Sequence, residues 1–215
     1  MAKIAPSVLA ADFANLGDEI KDSDNCQIDW FHLDIMDGHF VPNISFGPGI
    51  VKTIKGLSST FLDVHLMLSE PEKYFDAFQK AGADCITFHI EIHKDPIKDA
   101  EQIKAMGLKA GISLNPDTSI DTVLPYLKYF DLLLVMSVYP GFGGQKFITS
   151  VLPKVEAAKK YIDDNGFNTE ISVDGGIDDT NINEVVRAGA DIVVMGTAFY
   201  KSENRIALVE KVKAL

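Results

Sequence analysis

At 215 residues, with 47% hydrophobic and 24% charged residues, the chain has the make-up of a globular protein and too much apolar content for disorder. A net charge of −11 excludes nucleic acid and anionic membrane surfaces as expected partners, because both select basic patches. No run approaches the roughly 20 apolar residues of a membrane span.

The expected elements alternate in type along the chain. The N-terminal "MAKIAPSVLAADF" is broken by Asp12, so a signal peptide is not expected; residues 3–9 read as a strand carrying Ser7 instead. A helical stretch follows over 13–24. Residues 29–36, "DWFHLDIM", form the next strand and continue into "DGHFVPN". This apolar run brings His32, Asp34 and Asp37 close together, and strand interiors rarely bear charge without a partner. Helix 47–57 leads to strand 61–67, "FLDVHLM", with His65. In "PEKYFDAFQKAG" the apolar residues Tyr74, Phe75, Phe78 and Ala81 lie on one stripe that Gly82 stops. Strand 84–90 ends near His89, helix 95–107 follows, and strand 109–115 comes next. The spacing of 119–127 predicts a further helix before strand 131–137, with Met136 near its end. "VLPKVEAAKKYI" aligns Val151, Leu152, Val155, Ala158 and Ile162 within helix 149–166. Strand 170–176 holds Asp174, helix 179–189 follows it, strand 191–197 ends in Gly196 and Thr197, and helix 202–215 completes the pattern.

Eight strand–helix units imply a parallel sheet in a single α/β domain over 1–215. A closed (β/α)8 TIM barrel is expected rather than an open doubly wound sheet. Ser7, Asp34, His65, His89, Met136, Asp174 and Gly196 sit at the ends of seven strands, and closure lets those ends surround one point. No G-x-G-x-x-G follows the first strand. AGAD recurs at 81–84 and 188–191, a weak echo of a half-barrel repeat. Cys26 and Cys85 lack a CxxC spacing and read as reduced thiols of a cytoplasmic protein.

Strand side chains alternate faces, so His32 and Asp34 share one face, as do His65 and Met67 on the next strand. Asp174 lies nearly across the barrel from His65. A lone strand-end histidine is more often structural, and an aspartate before glycines is often turn chemistry. Four such residues at matching ends of three strands point instead to one divalent metal ion. Their nitrogen-and-oxygen set suits Zn²⁺ first, with Fe²⁺, Mn²⁺ or Co²⁺ as alternatives. The loops "PGFGGQ" (140–145), "DGGI" (174–177) and "GTAF" (196–199) follow three consecutive strands on the same rim. Their glycines let backbone N–H groups approach an anion, which fits a phosphate held without a lysine cluster. Within them Gly141, Phe142, Gly143, Gly144, Gly175, Gly176, Gly196 and Thr197 are the candidate binding residues.

"HLDIMDGHFVPN", "DVHLM", "GISLNP", "VMSVYPGFGGQ" and "VDGGI", in this order, make the chain resemble the ribulose-phosphate 3-epimerase family of the pentose phosphate pathway. The resemblance implies a phosphate-binding (β/α)8 barrel that interconverts D-ribulose 5-phosphate and D-xylulose 5-phosphate, commonly as a homo-oligomer, dimer or hexamer. It implies His32, Asp34, His65 and Asp174 as metal ligands and Asp34 with Asp174 as the acid/base pair. Ser7 and His65 would meet the sugar oxygens, and Met36, Met67 and Met136 would line the cavity around the reacting carbons. Inverting carbon 3 of a 2-ketose needs a proton removed from one face and one returned to the other, which is why two carboxylates should flank the substrate.

The family usually places Asn or Glu where this chain has Tyr139, and serine where it has Thr197; His93 reads as solvated surface. Relatives acting on D-allulose 6-phosphate, the alternative substrate, tend to alter the second glycine after the strand-seven Asp, and Gly175-Gly176-Ile177 keeps the pentose pattern. Lyases on similar barrels carry a lysine where this chain has Met36. A sugar-phosphate binding protein without activity would be expected to lack one carboxylate.

Overall fold

All eight expected strands form, most of them shorter than the sequence suggests. The computed structural model describes residues 1–92 and 94–215, so the expectation for His93 lies outside the described residues. The strands are β1 (Lys3–Pro6), β2 (Trp30–Met36), β3 (Phe61–Met67), β4 (Cys85–His89), β5 (Lys109–Leu114), β6 (Leu132–Met136), β7 (Glu170–Asp174) and β8 (Ile192–Met195). They are parallel and hydrogen-bonded in the order β1-β8-β7-β6-β5-β4-β3-β2. A bridge between Ser7 and His32 and a hydrogen bond from Asp29 N to Ile4 O join β1 to β2 and close the barrel.

The helices are α1 (Leu16–Asn25), α2 (Pro48–Leu57), α3 (Phe75–Ala81), α4 (Pro96–Ala105), α5 (Leu152–Asn165), α6 (Ile182–Arg187), α7 (Thr197–Tyr200) and α8 (Arg205–Lys213). Their ends follow from local chemistry. Asp95 accepts from Lys98 N to start α4 with Pro96 in its first turn, and Asn204 accepts from Ala207 N to start α8. Gly82 and Gly166 end α3 and α5 in the left-handed conformation.

The helix expected over 119–127 is a correction. Ile120–Thr122 and Leu124–Tyr129 are two short 3-10 turns, with Ser119 capping the first through Asp121 N. Pro125 supplies no N–H, and β6 begins at Leu132, so the segment turns tightly instead of growing an α-helix. In addition to the expected helices, α7 is a single turn inserted directly after β8. Strand β1 stops early because Val8–Ala10 coil into a 3-10 turn. Strand β7 stops at Asp174 because Gly175 and Gly176 have φ of 122° and 66°.

The two faces of each strand have different jobs. Outward residues such as Phe31, Leu33, Val64, Phe88, Ile112 and Val173 pack with Ile20, Ile54, Phe78, Val155 and Val212 of the helices in one large core. A separate cluster of Ala5, Trp30, Cys85, Leu132, Ile192 and Val194 plugs the N-terminal end of the barrel. Lys3 and Lys109 close that end, over Trp30 and paired to Glu170. With its lower half filled by side chains, the barrel opens onto its large cavity above, at the strand C-termini.

Candidate active site

Register places the ionisable side chains in stacked pairs. Across β2 and β3 the partners are Trp30 with Phe61, His32 with Asp63, Asp34 with His65, and Met36 with Met67. Every residue of β2 is buried. The charge-bearing layers therefore lie between an apolar floor and a methionine layer, where an ion needs a partner.

The partners are one another. Asp34 Oδ1 lies 3.1 Å from His65 Nδ1 and 3.3 Å from His32 Nε2, and those two nitrogens are 3.3 Å apart. Asp174 Oδ2, from the far side of the barrel, is 3.8 Å from His32 Nε2. One donor atom from each of His32, Asp34, His65 and Asp174 lies within 4.8 Å of the others. A tetrahedral ion with bonds of 2.0–2.1 Å has ligand–ligand edges of about 3.3 Å. Two imidazole nitrogens and two carboxylate oxygens at this spacing fit a divalent metal.

Neighbouring groups aim the ligands. His32 Nδ1 donates to Asp63 Oδ2 at 2.9 Å, turning Nε2 toward the cluster, and Thr87 Oγ1 donates to Asp63 Oδ1 at 2.8 Å. Gly111 makes room for that threonine, since a Cβ there would fall 2.2 Å from Thr87 Oγ1. Ser7 Oγ donates to Asp34 Oδ2 at 2.6 Å. His65 Nε2 and His89 Nε2 are 2.8 Å apart, and His89 Nδ1 reaches Glu91 Oε2 at 3.1 Å. Burial raises the Glu91 pKa, but His89, Asn115 N and Thr118 bring it down to about 2.

The two aspartates are electrostatically opposite in the metal-free protein. Burial acts to raise the Asp34 pKa, but His32 and His65 overcome it and hold the carboxylate well below its usual range. Burial and then repulsion from Asp34 push Asp174 up to about 7. Burial lowers His32, yet Asp34 and Asp63 carry it well above the usual imidazole range. For His65, burial and the neighbouring His89 and His32 outweigh Asp34, and its pKa falls to about 4.

A cavity of about 920 Å³ opens onto this cluster. Ser7, Asp34 and Asp174 border it, with Met36, Met67 and Met136 as apolar wall. Its rim includes Gly141, Phe142, Gly143, Gly144, Gly175, Gly176, Gly196 and Thr197. His32 and His65 are fully buried behind this surface. The rim loops touch: a Cβ on Gly176 would lie 2.4 Å from Phe147 N, and one on Gly144 would lie 4.0 Å from Thr197 Oγ1. The loop after β6 is pinned by Asn43 Nδ2 donating to Gly141 O at 2.7 Å and by Gln145 Nε2 donating to Tyr139 O at 2.6 Å. Tyr139 donates its hydroxyl to Asp117, at 3.0 Å from Oδ2.

Asp37 has a different role from Asp34. It accepts from the backbone N–H groups of His39, Phe40 and Ser69 and from Ser69 Oγ, which overcome partial burial and hold its pKa near 2. It folds the turn after β2 and takes no part in the cluster. Asp63, Thr87 and Glu91 add to the residues expected from the sequence, and His89, expected at a strand end, joins them behind the cluster. Alternation alone puts Asp63 and His65 on one face, so a signal existed for the first; Glu91 sits beyond β4 in a 3-10 turn, outside any strand pattern.

The described residues contain no helix long and apolar enough to cross a membrane. Among solved structures, the chain superimposes on 3-hexulose-6-phosphate synthase with a TM-score of 0.67, at 18% identity, covering 99% of this chain and 98% of that one. It superimposes on a mutant tryptophan synthase alpha-subunit from Pyrococcus furiosus with a TM-score of 0.71, at 16% identity and 98% and 96% coverage. These likenesses show a TIM-barrel fold and no more. The ribulose-phosphate 3-epimerase of Synechocystis is 49% identical over 94% of this chain and 88% of its own length. That of Bacillus subtilis is 45% identical over 99% of each. The family model for ribulose-phosphate 3-epimerases matches residues 3–200. A barrel with paired aspartates at its mouth, matched almost end to end at this identity, belongs to the ribulose-phosphate 3-epimerase family, a family of isomerases.

Proposed function

We propose that the protein is a metal-dependent 3-epimerase that interconverts D-ribulose 5-phosphate and D-xylulose 5-phosphate through a 2,3-enediolate, with Asp34 and Asp174 exchanging the C3 proton on opposite faces. The observation that carries this reading is the pair of aspartates that border one cavity from opposite sides of the barrel, on β2 and β7. Two carboxylates on opposite sides of one cavity are placed to take a proton from one face of a substrate and to return one to the other. The roles exchange in the reverse direction.

The remaining residues support the same chemistry. Ser7 fixes one oxygen of Asp34 and so turns the other toward the cluster. Met36, Met67 and Met136 present an adaptable apolar wall beside the reacting carbons. The glycines of the rim offer backbone N–H groups to the phosphate, as a chain of net charge −11 requires. His32, Asp34, His65 and Asp174 would hold one divalent ion per subunit, Zn²⁺ first, with Fe²⁺, Mn²⁺ or Co²⁺ as alternatives; when bound it supplies positive charge against the oxyanion that develops during enolisation.

Proton NMR in D₂O tests the proposal. D-Ribulose 5-phosphate should lose its C3–H signal to deuterium while D-xylulose 5-phosphate appears, and a chelator should stop both. Faster turnover of D-allulose 6-phosphate would overturn the substrate assignment. Absence of exchange with either sugar in metal-replete protein would overturn the epimerase reading.

A further inference from the structure

We propose that Tyr139 is a positioning residue: through Asp117 it braces the glycine loop after β6, so that the loop's backbone N–H groups meet the substrate phosphate already in place. The inference rests on the sugar-phosphate reading above and deepens it with two residues, Tyr139 and Asp117, that do not line the cavity.

Residues 138–147 leave the barrel as one excursion, closed at its base by Ile148 N donating to Ser137 O at 2.8 Å. Gly141, Gly143 and Gly144 lie on it, and glycine loses more backbone freedom on ordering than any other residue. Such a loop binds an anion more tightly when its backbone is ordered beforehand. Three side chains order it. From the loop after β2, Asn43 Nδ2 donates to Gly141 O at 2.7 Å. Within the loop, Gln145 Nε2 donates to Tyr139 O at 2.6 Å and to Phe142 O at 2.9 Å. Tyr139 Oη donates outward to the loop after β5, lying 3.0 Å from Asp117 Oδ2 and 3.1 Å from Oδ1. Gln145 passes that restraint on, because it ties the Tyr139 carbonyl to the glycine turn.

A brace works only if its far end is fixed, and the neighbours of Asp117 are gripped from two sides. Asn115 N, at 2.7 Å, and Thr118 Oγ1 both donate to Glu91 Oε1. Lys154 Nζ, from α5, donates to Pro116 O and, at 2.6 Å, to Thr118 O. Thr118 N donates to Asn115 O at 3.1 Å and closes the turn around Asp117, with Pro116 buried beneath it. Asp117 is therefore an exposed carboxylate on an anchored turn. The Tyr139 side of the bond is equally simple. Tyr139 is 53% exposed, so Tyr139→Phe removes the hydroxyl without opening a core.

The test compares metal-replete wild type with Tyr139→Phe, Asp117→Ala and Asp117→Asn. Loss of the bond should raise KM for D-ribulose 5-phosphate and the dissociation constant of inorganic phosphate together, roughly three- to tenfold, which is the worth of one ordinary hydrogen bond. The value of kcat should stay within about twofold of wild type, because the restraint serves substrate and transition state alike. Asp117→Asn keeps an acceptor oxygen and should restore most of the affinity lost in Asp117→Ala. Tyr139→Phe added to Asp117→Ala should have no further effect. In ligand-free Tyr139→Phe the heteronuclear NOEs of Gly141, Gly143 and Gly144 should fall, the mark of a loosened backbone. Unchanged KM and phosphate affinity in Tyr139→Phe, a loss confined to kcat, or glycine NOEs that match wild type would each overturn the inference. Wild type that neither turns over the sugar phosphate nor binds inorganic phosphate overturns the reading of the site itself, a different outcome from equal binding by wild type and variant.

Discussion

Asp34 and Asp174 are the same residue type in one cavity, and what separates them is the neighbours each strand brings. Asp34 has two imidazoles and Ser7 within hydrogen-bond reach, whereas the closest cation to Asp174 is His32 at 3.8 Å. If each serves one face of the substrate, Asp174→Asn should abolish epimerisation, a loss of at least about 10²- to 10⁴-fold, yet keep deuterium exchange at C3 for one of the two epimers. Asp34→Asn should keep exchange only for the other. Metal content is measured on the same samples, because both side chains belong to the cluster. Equal exchange of both epimers by Asp174→Asn would mean that one base serves both faces. The four clustered residues were legible in the sequence because alternation along a strand fixes which face each occupies. Asp63 and Glu91 were not, because their roles depend on register between strands and on a turn outside them.

At the scale of elements, the strands were legible and one helix was not. Residues 119–127 have helical spacing, but Pro125 and the short distance to β6 leave room only for 3-10 turns. The inserted turn α7 escaped notice because its four residues begin within the expected strand 191–197. The glycine loops were legible as loops, but their mutual contact was not, because it depends on how closely two backbones approach. At Gly176 that approach can be tested. Its φ is 66°, and a Cβ would meet Phe147 N at 2.4 Å and Gln145 O at 2.8 Å, both backbone atoms. Gly176→Ala should therefore cost at least about 1–2 kcal/mol from the left-handed conformation alone. It should also raise KM for the sugar phosphate about tenfold or more by displacing the loop after β6. Gly49→Ala in α2 is the matched control: nothing lies within 4 Å of its Cβ, and the change should be neutral or stabilise by up to about 1 kcal/mol. Thermal denaturation and steady-state kinetics on both variants check the pair, and equal effects would remove the argument from close approach.

For the whole molecule, the buried cluster links folding, pH and metal. In the metal-free fold Asp174 titrates near 7, above its unfolded value of 3.8, so its contribution to stability falls as pH rises between those values. His65 titrates near 4 and would titrate near 6.5 unfolded, so its contribution rises over the overlapping window from 4 to 6.5. The two slopes oppose each other, and metal-free stability should change little between pH 4 and 6.5 on their account. Metal binding breaks that balance. Asp34 and His65 are already deprotonated at pH 6, whereas Asp174 holds a proton there and His32, with its raised pKa, holds another. Both must leave before all four groups can ligate. Stabilisation by a bound ligand grows with the logarithm of its concentration over its dissociation constant. At fixed free Zn²⁺ the rise in melting temperature on metal addition should therefore be larger at pH 8 than at pH 6. Below pH 7 each proton to be displaced weakens apparent binding by up to about tenfold per pH unit, about 1.4 kcal/mol. Calorimetry in buffers of different ionisation enthalpy counts the released protons directly: between one and two are expected at pH 6. Release of none would mean that the cluster is already fully deprotonated at that pH, and the raised pKa of Asp174 in the metal-free fold would fail with it.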